Sequence, residues 1–190
     1  MKQRKLLKKL TELKADPDIE IYASDEVIFH LQGSICKMWI PIENKQPRVF
    51  LHPTRKSIGY IGAVRLRDGK LISYRPEGNF NKHSYLAFLK HVRMLTSGSK
   101  KRIVIVVDNA KYHHAKIVDE WIQSLNGKIS LLFLPPYSPE LNPIERVWKL
   151  VKRTAIHNKY FESLDELASI VEDLFWTWSS GHIVLARLCA

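Results

Sequence analysis

Hydrophobic side chains recur along this chain with two periods, and the changes between them divide it into elements. Leu6, Leu7, Leu10 and Leu13 sit at helical spacing among lysines and Arg4, which predicts a basic amphipathic helix over 1–14, ended near Asp16-Pro17. Ile19, Ile21 and Ala23 then alternate with Glu20, Tyr22 and Ser24, the period of a strand continuing to about Leu31. Further strands are expected at 36–42 and 47–51. Ile58 to Arg67 and Lys70 to Arg75 flank Asp68-Gly69, a pair that suits a tight primed hairpin turn. Asn81 to Leu95 places Tyr85, Phe88, Leu89 and Val92 on one helical face. The β-branched run Ile103 to Val107 reads as a central strand covered on both sides. A helix over 114–125 with a stripe of Ile117, Val118, Trp121, Ile122 and Leu125 precedes a buried strand at 129–134. After Pro135-Pro136-Tyr137-Ser138-Pro139 come helices at 143–157 and 163–178, the last opened by a capping box at Ser163 to Glu166.

Antiparallel strands followed by alternating strands and helices predict a single α/β domain, a mixed sheet with helices on its faces. Residues 1–14 precede it as a basic helix and 181–190 follow as a tail. At 190 residues the chain is long enough for a real core.

Charge changes the picture. Lys plus Arg number 30 against 19 for Asp plus Glu, a formal net charge of +11. Such an excess favours an anionic partner, nucleic acid before membrane, because clustered cations release counterions when they neutralise phosphates. Cys36 and Cys189 are too few for a four-ligand zinc site or a disulfide framework and read as reduced thiols of a cytoplasmic, nucleoid-associated protein. The basic N-terminus has no apolar stretch behind it, so no signal peptide is expected, and no run approaches a membrane span.

Within this cationic chain three acids occupy positions where chemistry is usually built. Asp25 lies on the first strand, in the parity of Ile19, Ile21 and Ala23, although neighbouring Glu26 could equally be the important acid. Asp108 ends the buried strand, and α/β sheets place ligands at the carboxyl ends of such strands. Glu145 lies in the first turn of the helix that Asn142-Pro143 begins; its structural alternative is a capping-box glutamate reaching back to Asn142. Oxygen donors without Cys or His at ligand spacing suit Mg²⁺ or Mn²⁺. Two such ions could activate water or a 3′-hydroxyl and stabilise the leaving oxygen of a phosphodiester.

The run Val106-Val107-Asp108-Asn109-Ala110-Lys111-Tyr112-His113, followed by Leu132-Phe133-Leu134-Pro135-Pro136-Tyr137-Ser138-Pro139-Glu140-Leu141-Asn142-Pro143-Ile144-Glu145-Arg146-Val147-Trp148, closely resembles the mariner superfamily of DDE transposases, in its prokaryotic insertion-sequence branch. Ala23-Ser24-Asp25-Glu26 resembles the first-strand motif of the same family. The resemblance implies a ribonuclease H-like mixed five-stranded sheet flanked by helices over residues 15–180. It implies catalytic, metal-binding acids at Asp25, Asp108 and Glu145, with two Mg²⁺ or Mn²⁺ ions. It also implies cleavage of double-stranded DNA at transposon ends and strand transfer into target DNA, commonly at a TA dinucleotide.

Asn109 and His113 match family positions as a second tier: Asn109 to orient Asp108 or a metal-bound water, His113 to contact DNA or to pack at a helix start. On a helical wheel Glu145, Lys149 and Lys152 share a side opposite the buried stripe of Ile144, Val147, Trp148 and Val151. Lys149, Lys152 and Arg153 are therefore candidate DNA contacts, or else a solvated face. Trp176 and Trp178 form either a stacking platform for bases or part of the core. The resemblance implies an N-terminal helix-turn-helix region in full-length relatives, which leaves a catalytic fragment, the second reading frame of a split element with a separate helix-turn-helix polypeptide, or a decayed copy as alternatives; cutting two ends favours a homodimer. The competing reading is a catalytically silent DNA-binding or assembly module derived from a transposase.

Overall fold

A computed structural model describes residues 2–37, 39, 41–43, 48–51, 53–136 and 138–190. Its strands are β1 (Ile19–His30), β2 (Ser57–Arg65), β3 (Leu71–Tyr74), β4 (Arg102–Val107) and β5 (Ile129–Phe133), and its α-helices are α1 (Lys2–Ala15), α2 (Lys82–Leu95), α3 (Lys116–Ser124), α4 (Ile144–Val151), α5 (Leu164–Thr177) and α6 (Ile183–Leu188). The sheet order is β3-β2-β1-β4-β5. β1 pairs antiparallel with β2 and parallel with β4, β3 extends the antiparallel side, and β5 the parallel side. This is the mixed five-stranded sheet flanked by helices that the sequence predicts.

Alternation along the strands separates two cores. Ile21, Ala23, Val27 and Phe29 of β1 and Val106 of β4 face α4, α5 and α6, packing against Val147, Trp148, Val171, Phe175 and Leu185. Tyr22, Ile103, Ile105 and Val107 face the other way, against Tyr85, Phe88 and Leu89 of α2 and Val118 of α3. Each such side chain contributes about 1.5–3 kcal/mol when fully buried. The predicted stripe of α2 is the buried one, and Asn81 caps that helix through a reciprocal box with Ser84. Among the described residues no helix is long and apolar enough to cross a membrane.

Five sequence expectations change. Residues 36–42 and 47–51 form no strand where they are described; Met38, Ile40 and Pro47 lie outside the described residues. Trp39 and Phe50, which alternation would place in these strands, stand exposed. The segment's stem is held instead by side chains: the Asn158 amide bonds both the N–H and the C=O of Cys36 at 2.9 Å. The hairpin turn is also longer than two residues, because the last rung joins the Arg65 amide to the Lys70 carbonyl. Gly69 takes φ +71°, and a Cβ there would collide with the backbone of His182 and Ala186, so docking of α6 shapes this loop. That docking also makes 183–188 a helix with Leu185 in the core, rather than an appended tail. The helix expected over 143–157 changes pitch at Lys152–Ile156, a π-helical turn closed by the His157 amide on the Lys152 carbonyl at 2.8 Å. β5, finally, is an edge strand, only half-buried beyond Ile129.

Candidate active site

The register of the parallel pair explains how two acids far apart in sequence meet. Every β1–β4 partner pair, from Ile19 with Arg102 to Ala23 with Val106, differs by 83 positions. Asp25 and Asp108 differ by 83 as well and lie two residues past the last rung, in the parity of Ala23 and Val106. Neighbouring strands lie about 4.8 Å apart, which brings the acids side by side on the sheet face that α4 covers. Glu26, of opposite parity, points to the α2 side. Of Asp25 and Glu26, Asp25 is the one that lines the cleft.

Glu145 reaches the cleft from above. Asn142 is extended at φ −87°, ψ 109°, and Pro143 is helical at −60°, −29°, the entry that Asn-Pro predicts. The capping role does not materialise: the Asn142 side chain makes no cap bond and instead donates from Nδ2 to the Ser24 carbonyl on β1 at 3.0 Å. α4 then buries Ile144, Val147, Trp148 and Val151, as its wheel predicts. Gly62 is the β2 partner of Asp25, and a methyl group there would collide with the Trp148 ring. That bare backbone lets α4 sit low enough over β1 to bring Glu145 to the acids.

Asp25, Asp108 and Glu145 line one cleft of about 450 Å³, together with Asn109, Asn142, Ser138 and an apolar wall that includes Leu134, Pro135, Pro136 and Pro139. Burial, followed by the charges of Glu26 and Glu145 and, more weakly, Asp108, pushes the Asp25 carboxyl up to about 7. Asp108 stands half-exposed and accepts the Ala110 amide at 3.0 Å. Among the described residues, no three His, Cys, Asp or Glu side chains are grouped closely enough to hold a metal ion. The acids share a cleft without closing on a common point.

His113 is neither exposed nor a passive packing residue. It is 2 % exposed, with Nδ1 3.0 Å from Asp108 Oδ1 and 3.2 Å from the Asp108 carbonyl, and Nε2 3.4 Å from Glu26 Oε1. The ring thus faces oxygen atoms of Asp108 on one side and Glu26 on the other. Burial opposes the charge, but the hydrogen bond and charge of Glu26, then Asp108, outweigh it and raise the His113 pKa above its ordinary value. Tyr85 packs against its ring at 4.2 Å between centroids. Asn109 lines the cleft, but its side-chain amide donates to the Leu134 carbonyl, joining the ends of β4 and β5.

Lys149, Lys152 and Arg153 are exposed beside the cleft helix, outside the lining itself. The aromatic pair divides: Trp178 is buried in the core, while Trp176 is 79 % exposed. Sequence reasoning missed Asn142 and Gly62 as site residues. The signal for Asn142 was present in its proline neighbour, but read as a cap; nothing in a lone glycine announces a tryptophan above it.

Comparison with known proteins accords with this geometry. The sequence profile of the family described as DDE superfamily endonuclease matches residues 20–168. The "Insertion element IS630 uncharacterized 39 kDa protein" of Shigella sonnei is 27% identical over 161 residues, covering 84% of this chain and 45% of that protein. The chain thus spans about half the length of that curated relative. Among solved structures, the "Mos1 transposase paired-end complex with left transposon end" superposes with a TM-score of 0.68 at 17% identity, over 99% of this chain and 59% of the other. The catalytic domain of Mos1 mariner transposase gives 0.62 at 16% identity, over 99% and 88%. These structural likenesses speak to the fold, and the profile match speaks to descent. With most of its length inside that profile, the chain belongs to the DDE superfamily endonuclease family.

Proposed function

We propose that this chain is the catalytic part of a transposase, cutting DNA at transposon ends and joining it to target DNA with Asp25, Asp108 and Glu145 as its working acids. The observation that carries the reading is their arrangement: two acids just past the end of the β1–β4 ladder and a third from α4, all lining one cleft of a protein carrying +11. Support comes from relatives. Neighbouring structures are titled as a Mos1 paired-end complex with Mn, a paired-end complex with Mg and a strand transfer complex.

The cleft fits a hard divalent cation. Its donors are carboxylate oxygens, and Asp25 is disfavoured as an anion by its own neighbours, which a cation would relieve. Asp25, Asp108 and Glu145 would hold Mg²⁺ or Mn²⁺, two ions in our reading, drawing the acids inward. Bound there, the cation supplies charge neutralisation at the attacking and leaving oxygens of an in-line phosphodiester displacement. The chain's own residues do the rest. His113 holds Asp108 toward the cleft, and the proline-rich wall limits water. Ser138 Oγ is turned to the Pro136 carbonyl at 3.3 Å, so the nucleophile is a water or a DNA 3′-hydroxyl rather than this hydroxyl. Lys149, Lys152 and Arg153 would grip backbone phosphates along the helix that carries Glu145. The further partners we propose are a second copy of the chain, one for each transposon end, and a helix-turn-helix element to read the end sequence. The setting is the cytoplasm, on nucleoid DNA.

The test is incubation of the purified chain with labelled transposon-end duplex. Nicking that requires Mg²⁺ or Mn²⁺ is expected. Salt-sensitive binding without nicking in either cation would refute the enzymatic reading in favour of a silent DNA-binding module.

A further inference from the structure

We infer that Asn142 and the Glu26–His113 pair are positioning residues that set Glu145 and Asp108 from the two β1 residues flanking Asp25. The inference deepens the catalytic reading above and rests on it. The β1–β4 ladder ends at Ala23 and Val106, so Asp25 and Asp108 lie two residues beyond its last rung. The gap between them therefore has to be fixed by side chains.

Ser24 and Glu26 receive those side chains. The Ser24 carbonyl accepts from Asn142 Nδ2 at 3.0 Å, and the carbonyl of Asn142 accepts the Glu145 amide at 3.2 Å. Two hydrogen bonds thus run from β1 to the base of the third acid. On the other side Glu26 meets His113 Nε2 at 3.4 Å, and His113 Nδ1 meets Asp108 Oδ1 at 3.0 Å. Both connections are shielded from water: Asn142 is 3 % and His113 2 % exposed. Asn142 Oδ1 is buried with no hydrogen-bond partner among the described residues. A buried acceptor left unpaired costs stability, and an apolar side chain of the same size would avoid that cost. Asparagine is therefore a poor choice for packing alone, while leucine could not hold Ser24.

The experiment is Mn²⁺ titration of the chelator-stripped full chain, with thermal melting and amide exchange on the same samples. Asn142→Leu removes the orphaned Oδ1 but also takes the donor from the Ser24 carbonyl, so it should fold with Tm within a few degrees of wild type, yet bind Mn²⁺ about 10- to 100-fold more weakly, the usual size of an outer-shell effect. Exchange at the Glu145 amide should quicken in the cation-free variant. Glu26→Ala should weaken Mn²⁺ binding comparably, and Glu26→Gln, which keeps an acceptor for His113, should recover most of the loss. Asn81→Ala, which removes only the α2 cap, should lower Tm by roughly 2–4 °C with Mn²⁺ affinity unchanged. Should Asn142→Leu fail to fold, Asn142→Ala takes its place. Wild-type Mn²⁺ affinity in the Asn142 variant, or a Glu26→Gln as weak as Glu26→Ala, overturns the positioning role and leaves the catalytic reading standing. A wild-type chain whose Mn²⁺ uptake is absent, or is unaffected by Asp108→Asn, overturns both.

Discussion

Two groups of acids lie along β1, and the fold treats them in opposite ways. Near its amino end Glu20, 6 % exposed, sits between Arg65 at 3.1 Å and Arg67 at 2.9 Å, while Asp68 is bound by Arg65 at 2.6 Å. Burial alone would raise Asp68, but the Arg65 hydrogen bond, the Lys70 amide and the arginine charges take its pKa below the ordinary value. Further along the strand Asp25 has Glu26, Glu145 and Asp108 for neighbours and titrates near 7. Same strand, same kind of side chain: the difference is whether the chain supplies the counter-charge. The first group is a completed structural ion-pair cluster. The second keeps carboxyl groups crowded in a cleft, with His113 behind Asp108 and no lysine or arginine among the described residues that line it.

The sharpest way to break the comparison is at Asp108. Asp108→Asn should lower Mg²⁺-dependent nicking by about 10³-fold or more while leaving duplex binding within about twofold; gel assays of cleavage and binding separate the two. Arg65→Ala tests the other group. Glu20 keeps only Arg67 and the part-exposed Asp68 loses its arginine, so the chain should be destabilised by about 2–4 kcal/mol in denaturant unfolding, with Mn²⁺ affinity unchanged. Because the Asp68 pKa is depressed, its contribution is present above the unfolded carboxylate value and lost as pH falls through the folded one. The deficit of Arg65→Ala should accordingly shrink below about pH 4.

Asp25→Asn has the opposite sign. A carboxyl raised to about 7 makes the cation-free fold lose stability as pH rises from the unfolded value near 4 through 7. The asparagine variant should gain roughly 2–4 kcal/mol over wild type at pH 8 in chelator and nothing at pH 4. Added Mn²⁺ should stabilise wild type and not the variant. Equal melting temperatures at pH 8 would remove the like-charge argument. Smallest of all, alanine at Lys149, Lys152 or Arg153 should each reduce the salt slope of DNA binding by about one and weaken binding across sequences alike.

What the sequence disclosed follows from which interactions are local. The parity of Asp25, the strand end at Asp108 and the buried stripe of α4 all follow from alternation and helical spacing, and each stands as expected. The hairpin turn, the tail and the Asn142 side chain do not, because a distant element decides each: α6 against Gly69, the core against Leu185, and β1 against Asn142. Segment 36–51 shows the reverse failure. Its alternation is strand-like, but pairing depends on what the rest of the chain brings alongside, and periodicity carries no information about that.

The shared offset of 83 residues also sets rules for remodelling the gene. Additional residues in the connection between Leu31 and Ser57 lengthen a surface excursion and leave both acids opposite one another, so a tag or a whole domain inserted there should be tolerated. A single codon removed within β4 would do the opposite. It turns every later side chain of that strand to the other face and carries Asp108 away from Asp25.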